Sequence, residues 1–150
     1  MGRPKYGDFG LAKQWLSEAR AIYMRNDDRK GLGGILNLLG SAAFFRNELD
    51  EARQLFIESI RIRQNTGERL GLASAINNLG NISFRVGDHD EAERCYWEST
   101  EIMREIRDER NLSLTLSKYR KYHQRARRVG RRRSENAARL PEHVSTFARI

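Results

Sequence analysis

Apolar residues recur at spacings of three and four along most of this chain, and the runs predict a succession of amphipathic helices. Residues 8 to 26 carry Leu11, Ala12, Trp15, Leu16, Ala19, Ile22 and Tyr23 in that register. Residues 32 to 46 follow with Leu32, Ile35, Leu36, Leu39 and Ala43, and residues 72 to 86 with Leu72, Ala75, Ile76, Leu79 and Ile82. Between the last two lies a helix from Glu48 to about Asn65, ended by Gly67, and after them another from Asp88 to about Arg107. Asn47 and Gly87 stand where helices should stop, because both residue types tolerate the left-handed C-cap conformation. Asp88 with Glu91 three places on is a capping-box pattern. Connections of two to four residues force neighbouring helices to run antiparallel.

The pattern repeats. A shift of 40 places lays Gly31, Leu32, Asn37, Leu39, Gly40 and Phe44 on Gly71, Leu72, Asn77, Leu79, Gly80 and Phe84. Downstream it lays Asp50, Glu51, Ala52, Glu58, Ser59 and Ile62 on Asp90, Glu91, Ala92, Glu98, Ser99 and Ile102, which makes twelve identities in forty ungapped positions. A constant period of this size marks a stacked-repeat architecture. The chain therefore divides into a half repeat (8–30), two full repeats (31–70 and 71–110) and a capping helix (111–128), with 8–128 as the repeat domain. The half repeat lacks its first helix, so the apolar face around Trp15 is left uncovered. The last copy keeps Leu112, Leu116, Tyr119, Tyr122 and Ala126 but has Arg120 where Gly40 and Gly80 stand, and Arg132, Asn136 and Arg139 where a second helix needs Ala, Phe and Ser. It reads as a polar helix that closes the stack. Mid-helix Gly40 and Gly80 each cost about 1 kcal/mol relative to Ala, a cost that close approach of the second helix offsets, with Ala52 or Ala92 opposite and Phe56 or Tyr96 one turn on. Residues 129–150 are polar and aperiodic and are expected to form a basic, disordered tail.

Small and large positions in the order Leu39, Gly40, Ala52, Phe56, Ser59, and again Leu79, Gly80, Ala92, Tyr96, Ser99, resemble the tetratricopeptide repeat. The length of the repeat is similar to the long-repeat subclass of kinesin light chains and of large bacterial signalling and transcription regulators. The resemblance covers about residues 8 to 120. It implies an all-α fold, a right-handed α-solenoid of antiparallel helix hairpins with about six helices, acting as a scaffold that binds a protein or peptide. It also implies a concave groove lined by Asn37, Ser41, Phe44 and Phe45, then Asn77, Asn78, Asn81 and Arg85, then Ser117, Lys118, Lys121 and Arg125. Spacing supports part of this independently, since Asn77, Asn81 and Arg85 form an i, i+4, i+8 row. Asn both donates and accepts, so such a row can hold a peptide backbone without dictating its sequence. Arg85, Lys118, Lys121 and Arg125 would favour an acidic peptide. The set of Lys, Asn and Arg with which one subclass clamps a C-terminal carboxylate is matched only at Asn78 and Lys118, so that clamp is not expected.

Charge changes the picture at one end only. Residues 1–117 hold 17 Lys and Arg against 18 Asp and Glu, whereas 118–150 hold 11 against 2, so the net charge of +8 belongs to the last fifth of the chain. The run from Lys118 to Arg133 has nine basic residues. It supports an alternative reading, binding of a polyanion such as nucleic acid through Arg127, Arg128, Arg131, Arg132 and Arg133. Tyr119 and Tyr122 lie on the apolar stripe and are expected to be buried. Cys95, the single cysteine, aligns with Leu55 and Trp15 and is expected to be a small buried residue. There is no phosphate loop, no paired His at i and i+4 and no nucleophile beside a base. No catalysis, metal or cofactor is expected, and Glu58 and Glu98 recur with the repeat as structural or surface groups. Without an apolar run long enough for a membrane span or a signal peptide, the expected location is the cytoplasm. Two further readings remain: the chain is a piece of a longer regulator, and the uncovered helix at 8–26 drives self-association.

Overall fold

The computed structural model describes residues 9–107 and 109–128; the side chains of residues 9, 109, 111, 114, 118, 122, 123 and 125–128 lie outside that description. The expected tail at 129–150 lies outside it as well. Among the described residues there is no strand, and six helices follow one another: α1 (Phe9–Arg25), α2 (Arg29–Phe45), α3 (Leu49–Thr66), α4 (Arg69–Val86), α5 (His89–Glu105) and α6 (Glu109–Arg128). The fold class is all-α, a helical repeat, as the apolar periodicity requires. The first helices of the two repeats begin earlier than their apolar stripes predict, at Arg29 and Arg69 in place of Leu32 and Leu72. At α2 the cause is local: the Asp28 carboxylate accepts the Gly31 N–H at 2.9 Å, which starts the helix at Arg29.

Asp27, Asn47, Gly67, Gly87 and Arg107 have positive φ, at 51°, 65°, 72°, 87° and 54°. They end α1 to α5 in turn and are evenly spaced along the sequence. The backbone thus repeats once per helix and turn, which is half the period of the side-chain pattern. Asn47, Gly67 and Gly87 were legible as helix stops. Asp27 is a tolerated left-handed residue, and Arg107 carries the conformation without any favouring side chain.

The chain divides into two compact units between Gly71 and Leu72, next to the repeat boundary expected between 70 and 71. In the first unit α1 packs on α2 and α2 on α3. The Phe56 ring lies against Gly40 so closely that a Cβ there would sit 2.8 Å from it. The aromatic ring itself, rather than Ala52, fills the space the glycine leaves. Burying Phe56, 1% exposed, returns about 2–3 kcal/mol against the helix-propensity cost of the glycine. The Ser59 hydroxyl donates to the Gly33 carbonyl at 2.8 Å. In the second unit the equivalents recur: a Cβ on Gly80 would sit 2.9 Å from the Tyr96 ring and 3.0 Å from the Cys95 Cβ, and Ser99 donates to the Ala73 carbonyl at 2.9 Å. Gly31 makes room for the Tyr23 ring, and Gly71, its equivalent in the next repeat, for the Arg63 guanidinium. Cys95 is in no disulfide and is fully buried.

Candidate functional site

On α4 the buried residues are Leu72, Ala73, Ala75, Ile76, Asn77, Leu79, Gly80, Ile82 and Ser83, which cover most of the helix circumference. Along its middle one narrow row stays half-buried or exposed: Ser74, Asn78, Asn81 and Arg85, at i, i+4, i+7 and i+11. The row expected from the sequence is corrected at its first member. Asn77 is 6% exposed and belongs to the interior, because the buried arc of α4 is about one residue, or 100°, wider than its apolar residues indicate. Asn81 is half-buried, and its carboxamide oxygen accepts the Tyr96 hydroxyl at 2.9 Å. That bond ties the surface row to the ring that packs on Gly80.

The same four positions on α2 are Gly34, Leu38, Ser41 and Phe45. Leu38 is 52% exposed and Phe45 is 72% exposed, and the Phe44 and Phe45 rings meet edge to face at 6.0 Å. Asn37, Ser41 and Phe44 are half-buried, and the Ser41 hydroxyl donates to its own helix at the Asn37 carbonyl, 2.9 Å away. Leu38 was missed by sequence reasoning because a leucine directly beside the core Leu39 reads as part of the same apolar run. On α6 the row positions are Leu114, Lys118, Lys121 and Arg125; Lys121 and the neighbouring Ser117 are exposed, and the side chains of Lys118 and Arg125 lie outside the described residues. So do those of Arg127 and Arg128, and the whole of Arg131, Arg132 and Arg133.

Beneath the α4 surface lies a polar interior. The Ser83 hydroxyl is 2.6 Å from the Glu91 carboxylate, with Glu91 only 6% exposed. Half of the predicted capping box is present, since Asp88 accepts the Glu91 N–H at 3.0 Å. The Glu91 side chain turns to Ser83 instead of back to Asp88, whose own N–H goes to the Ser83 carbonyl. Burial, together with neighbouring Cys95, pushes the Tyr96 hydroxyl up to about 12. Burial also raises Tyr119, which packs on the Ala92 and Tyr96 cluster as its place on the apolar stripe predicts.

On α1, Trp15 is 59% and Ile22 47% exposed. Their equivalents Leu55 and Ile62 are buried at 8% each, so the face that the half repeat should leave open is open. A cleft of about 380 Å³ lies at the other end of α1, between Tyr23, Met24, Leu32 and Ile62. Its rim mixes Asp27, Asp28 and Glu58 with Arg29 and Arg61, which gives it no consistent charge to select a ligand. Among the described residues no group of three or more His, Cys, Asp or Glu is placed to hold a metal ion, and no helix is long and apolar enough to cross a membrane.

Residues 32–105 match the family model for the tetratricopeptide repeat, which supports reading the chain as a tetratricopeptide repeat protein. A search of curated proteins returned no match. The repeat is generally a non-catalytic module that mediates protein–protein interaction.

Proposed function

We propose that this tetratricopeptide repeat chain is an interaction scaffold that captures a peptide or partner protein on the exposed rows of its first helices. The observation that carries the reading is the recurrence of one row, at i, i+4, i+7 and i+11, on α2 and again on α4. Large apolar side chains at Leu38 and Phe45 are unfavourable in water unless something covers them. On α2 they suit apolar side chains of a partner. On α4, taken by itself, Asn78 and Arg85 suit backbone amides and carboxylates.

The test uses the full chain and a displayed library of short peptides, with affinities of the selected peptides read by fluorescence anisotropy. Leu38→Ser with Phe45→Ser, or Asn78→Ala with Arg85→Ala, should weaken capture at least about tenfold, the effect of losing roughly 1.4 kcal/mol of contact, with the helical circular dichroism unchanged. Asn81 is left alone because it holds Tyr96. Selected peptides that bind all variants equally would remove both rows from consideration.

A further inference from the structure

We propose that α6 is a separate, electrostatic binding element whose ligand is the phosphate backbone of a nucleic-acid duplex. It does not rest on the peptide-binding reading. Between Glu109 and Glu135 the chain contains no acidic residue and ten Lys and Arg.

The sign of the charge carries the argument: after Glu109, α6 offers cations alone, whereas the first unit mixes cations with carboxylates. There several cations are answered by carboxylates, Lys13 by Glu51 at 2.9 Å and Glu48 at 3.8 Å, Arg20 by Glu58 at 3.2 Å, Arg46 by Glu48 at 2.9 Å and Arg63 by Glu68 at 3.7 Å, while Arg25, Lys30 and Arg61 are exposed outside these pairs. On α6, Arg110, Arg120 and Lys121 are exposed, and among the described residues none of the three is in an ion pair. Unpaired cations crowded on one helix repel one another, so an external polyanion relieves a cost the fold leaves in place.

The chemistry narrows the ligand. The apolar side of α6 is already used: Thr115 is buried, and Tyr119 packs on Ala92 and Tyr96. Tyr119 is half-buried in that cluster and the side chains of Tyr122 and His123 lie outside the described residues, while charge is the property that recurs from Arg110 to Arg128. Sequence register puts Lys118, Lys121, Arg125 and Arg128 at i, i+3, i+7 and i+10, a row about 15 Å long at roughly 1.5 Å per residue. Over that length a duplex offers about nine phosphates, one per roughly 1.7 Å of axis. A uniform lattice of charge fits such a row in any register, whereas a peptide offers discrete carboxylates that need built pockets.

The experiment is anisotropy titration of the intact chain against two labelled DNA duplexes of unrelated sequence, about 24 base pairs each, over about 50 to 300 mM salt. The two duplexes should bind alike, with log affinity falling against log salt at a slope of magnitude about 4 or more. Lys118→Gln, Lys121→Gln, Arg125→Gln and Arg128→Gln together should weaken binding at least about tenfold at about 100 mM salt and reduce that slope by about 3 to 4. If the fourfold variant loses helicity, Lys121→Gln with Arg125→Gln should still reduce the slope by about 2. Replacing Arg131, Arg132 and Arg133 by Gln should leave the α6-dependent part in place, and Lys13→Gln should change nothing. The proposal is overturned by absent binding at the lowest salt, by a tail variant that abolishes binding while the α6 variant retains it, or by a salt-independent affinity. Binding to phosphatidylserine vesicles without binding to duplex would equally overturn it.

Discussion

The two units share a pattern of helix and left-handed turn but place their polar groups differently. In the first, position 43 is Ala, and Glu51 sits at the surface, where its hydrogen bond to Lys13 keeps the carboxyl below the usual range. In the second, the equivalent pair Ser83 and Glu91 is buried and bonded to itself. Phe56 becomes Tyr96 with an internal acceptor at Asn81, while the surface row changes from Leu38 and Phe45 to Asn78 and Arg85. The second unit has moved further polarity inward and made its face polar; the first keeps Ala43 at the position of Ser83 and carries Leu38 and Phe45 on its face. A repeat period thus specifies the backbone and the large packing contacts and leaves the polar network free to differ.

That comparison can be broken in several ways, the largest effect coming at the mid-helix glycines. Gly80→Ala should destabilise by about 2–3 kcal/mol, because its new methyl group meets the Cys95 Cβ as well as the Tyr96 ring, and a Cβ cannot move without its backbone. At Gly40→Ala the nearest atoms all belong to the Phe56 ring, and this variant should cost at least about 1 kcal/mol less. Urea denaturation of both variants decides it, and equal losses would mean the two interfaces are equally rigid. Next, Ser83→Ala should cost about 2 kcal/mol by taking a bonding partner from a buried carboxylate, whereas Glu51→Gln in the first unit should cost under about 0.5 kcal/mol. Equal effects would show that burial of the pair does not matter energetically.

The third effect depends on pH. The folded Tyr96 hydroxyl holds its proton up to about 12, while in the unfolded chain it titrates near about 10. Its contribution is therefore complete below about pH 10 and is lost as pH rises toward 12, at up to about 1.4 kcal/mol per unit. Denaturant midpoints between those limits should fall steeply for the native chain and less steeply for Tyr96→Phe; Tyr119, shifted the same way, accounts for part of the remaining slope. The smallest effect concerns the helix ends. Arg107→Gly should raise stability by about 1 kcal/mol by relieving a left-handed arginine, and Gly67→Ala should lower it by about as much. A destabilised Arg107→Gly would show that this arginine holds something the backbone angle does not reveal.

Much of this was legible beforehand, for identifiable reasons. Gly40 and Gly80 are costly in mid-helix and so announce a close approach, Asn47 and Gly87 announce helix ends, and Cys95 aligns with Leu55. Asn77 was misplaced because a polar side chain in a helix reads as surface, and only the packed helix shows that the buried arc extends over it. Leu38 failed in the opposite sense. The partner of Glu91 was beyond reach because a capping box predicts a local bond, and the competing geometry toward Ser83 exists only once α4 and α5 are side by side. The early start of α2 could have been read from Asp28, an N-cap residue three places before Gly31.

The left-handed residues at 27, 47, 67, 87 and 107 bear on how such a chain changes length. Unequal recombination that removes or adds a single helix with its turn keeps every turn in phase, so the backbone tolerates it. It nevertheless sets first helices where second helices belong, bringing two glycine-bearing stripes together and leaving two aromatic ones unopposed. Only whole helix pairs preserve both rhythms. Viable length variants of this protein should therefore differ by complete hairpins, and a library of random internal duplications selected for folding would show that quantum directly.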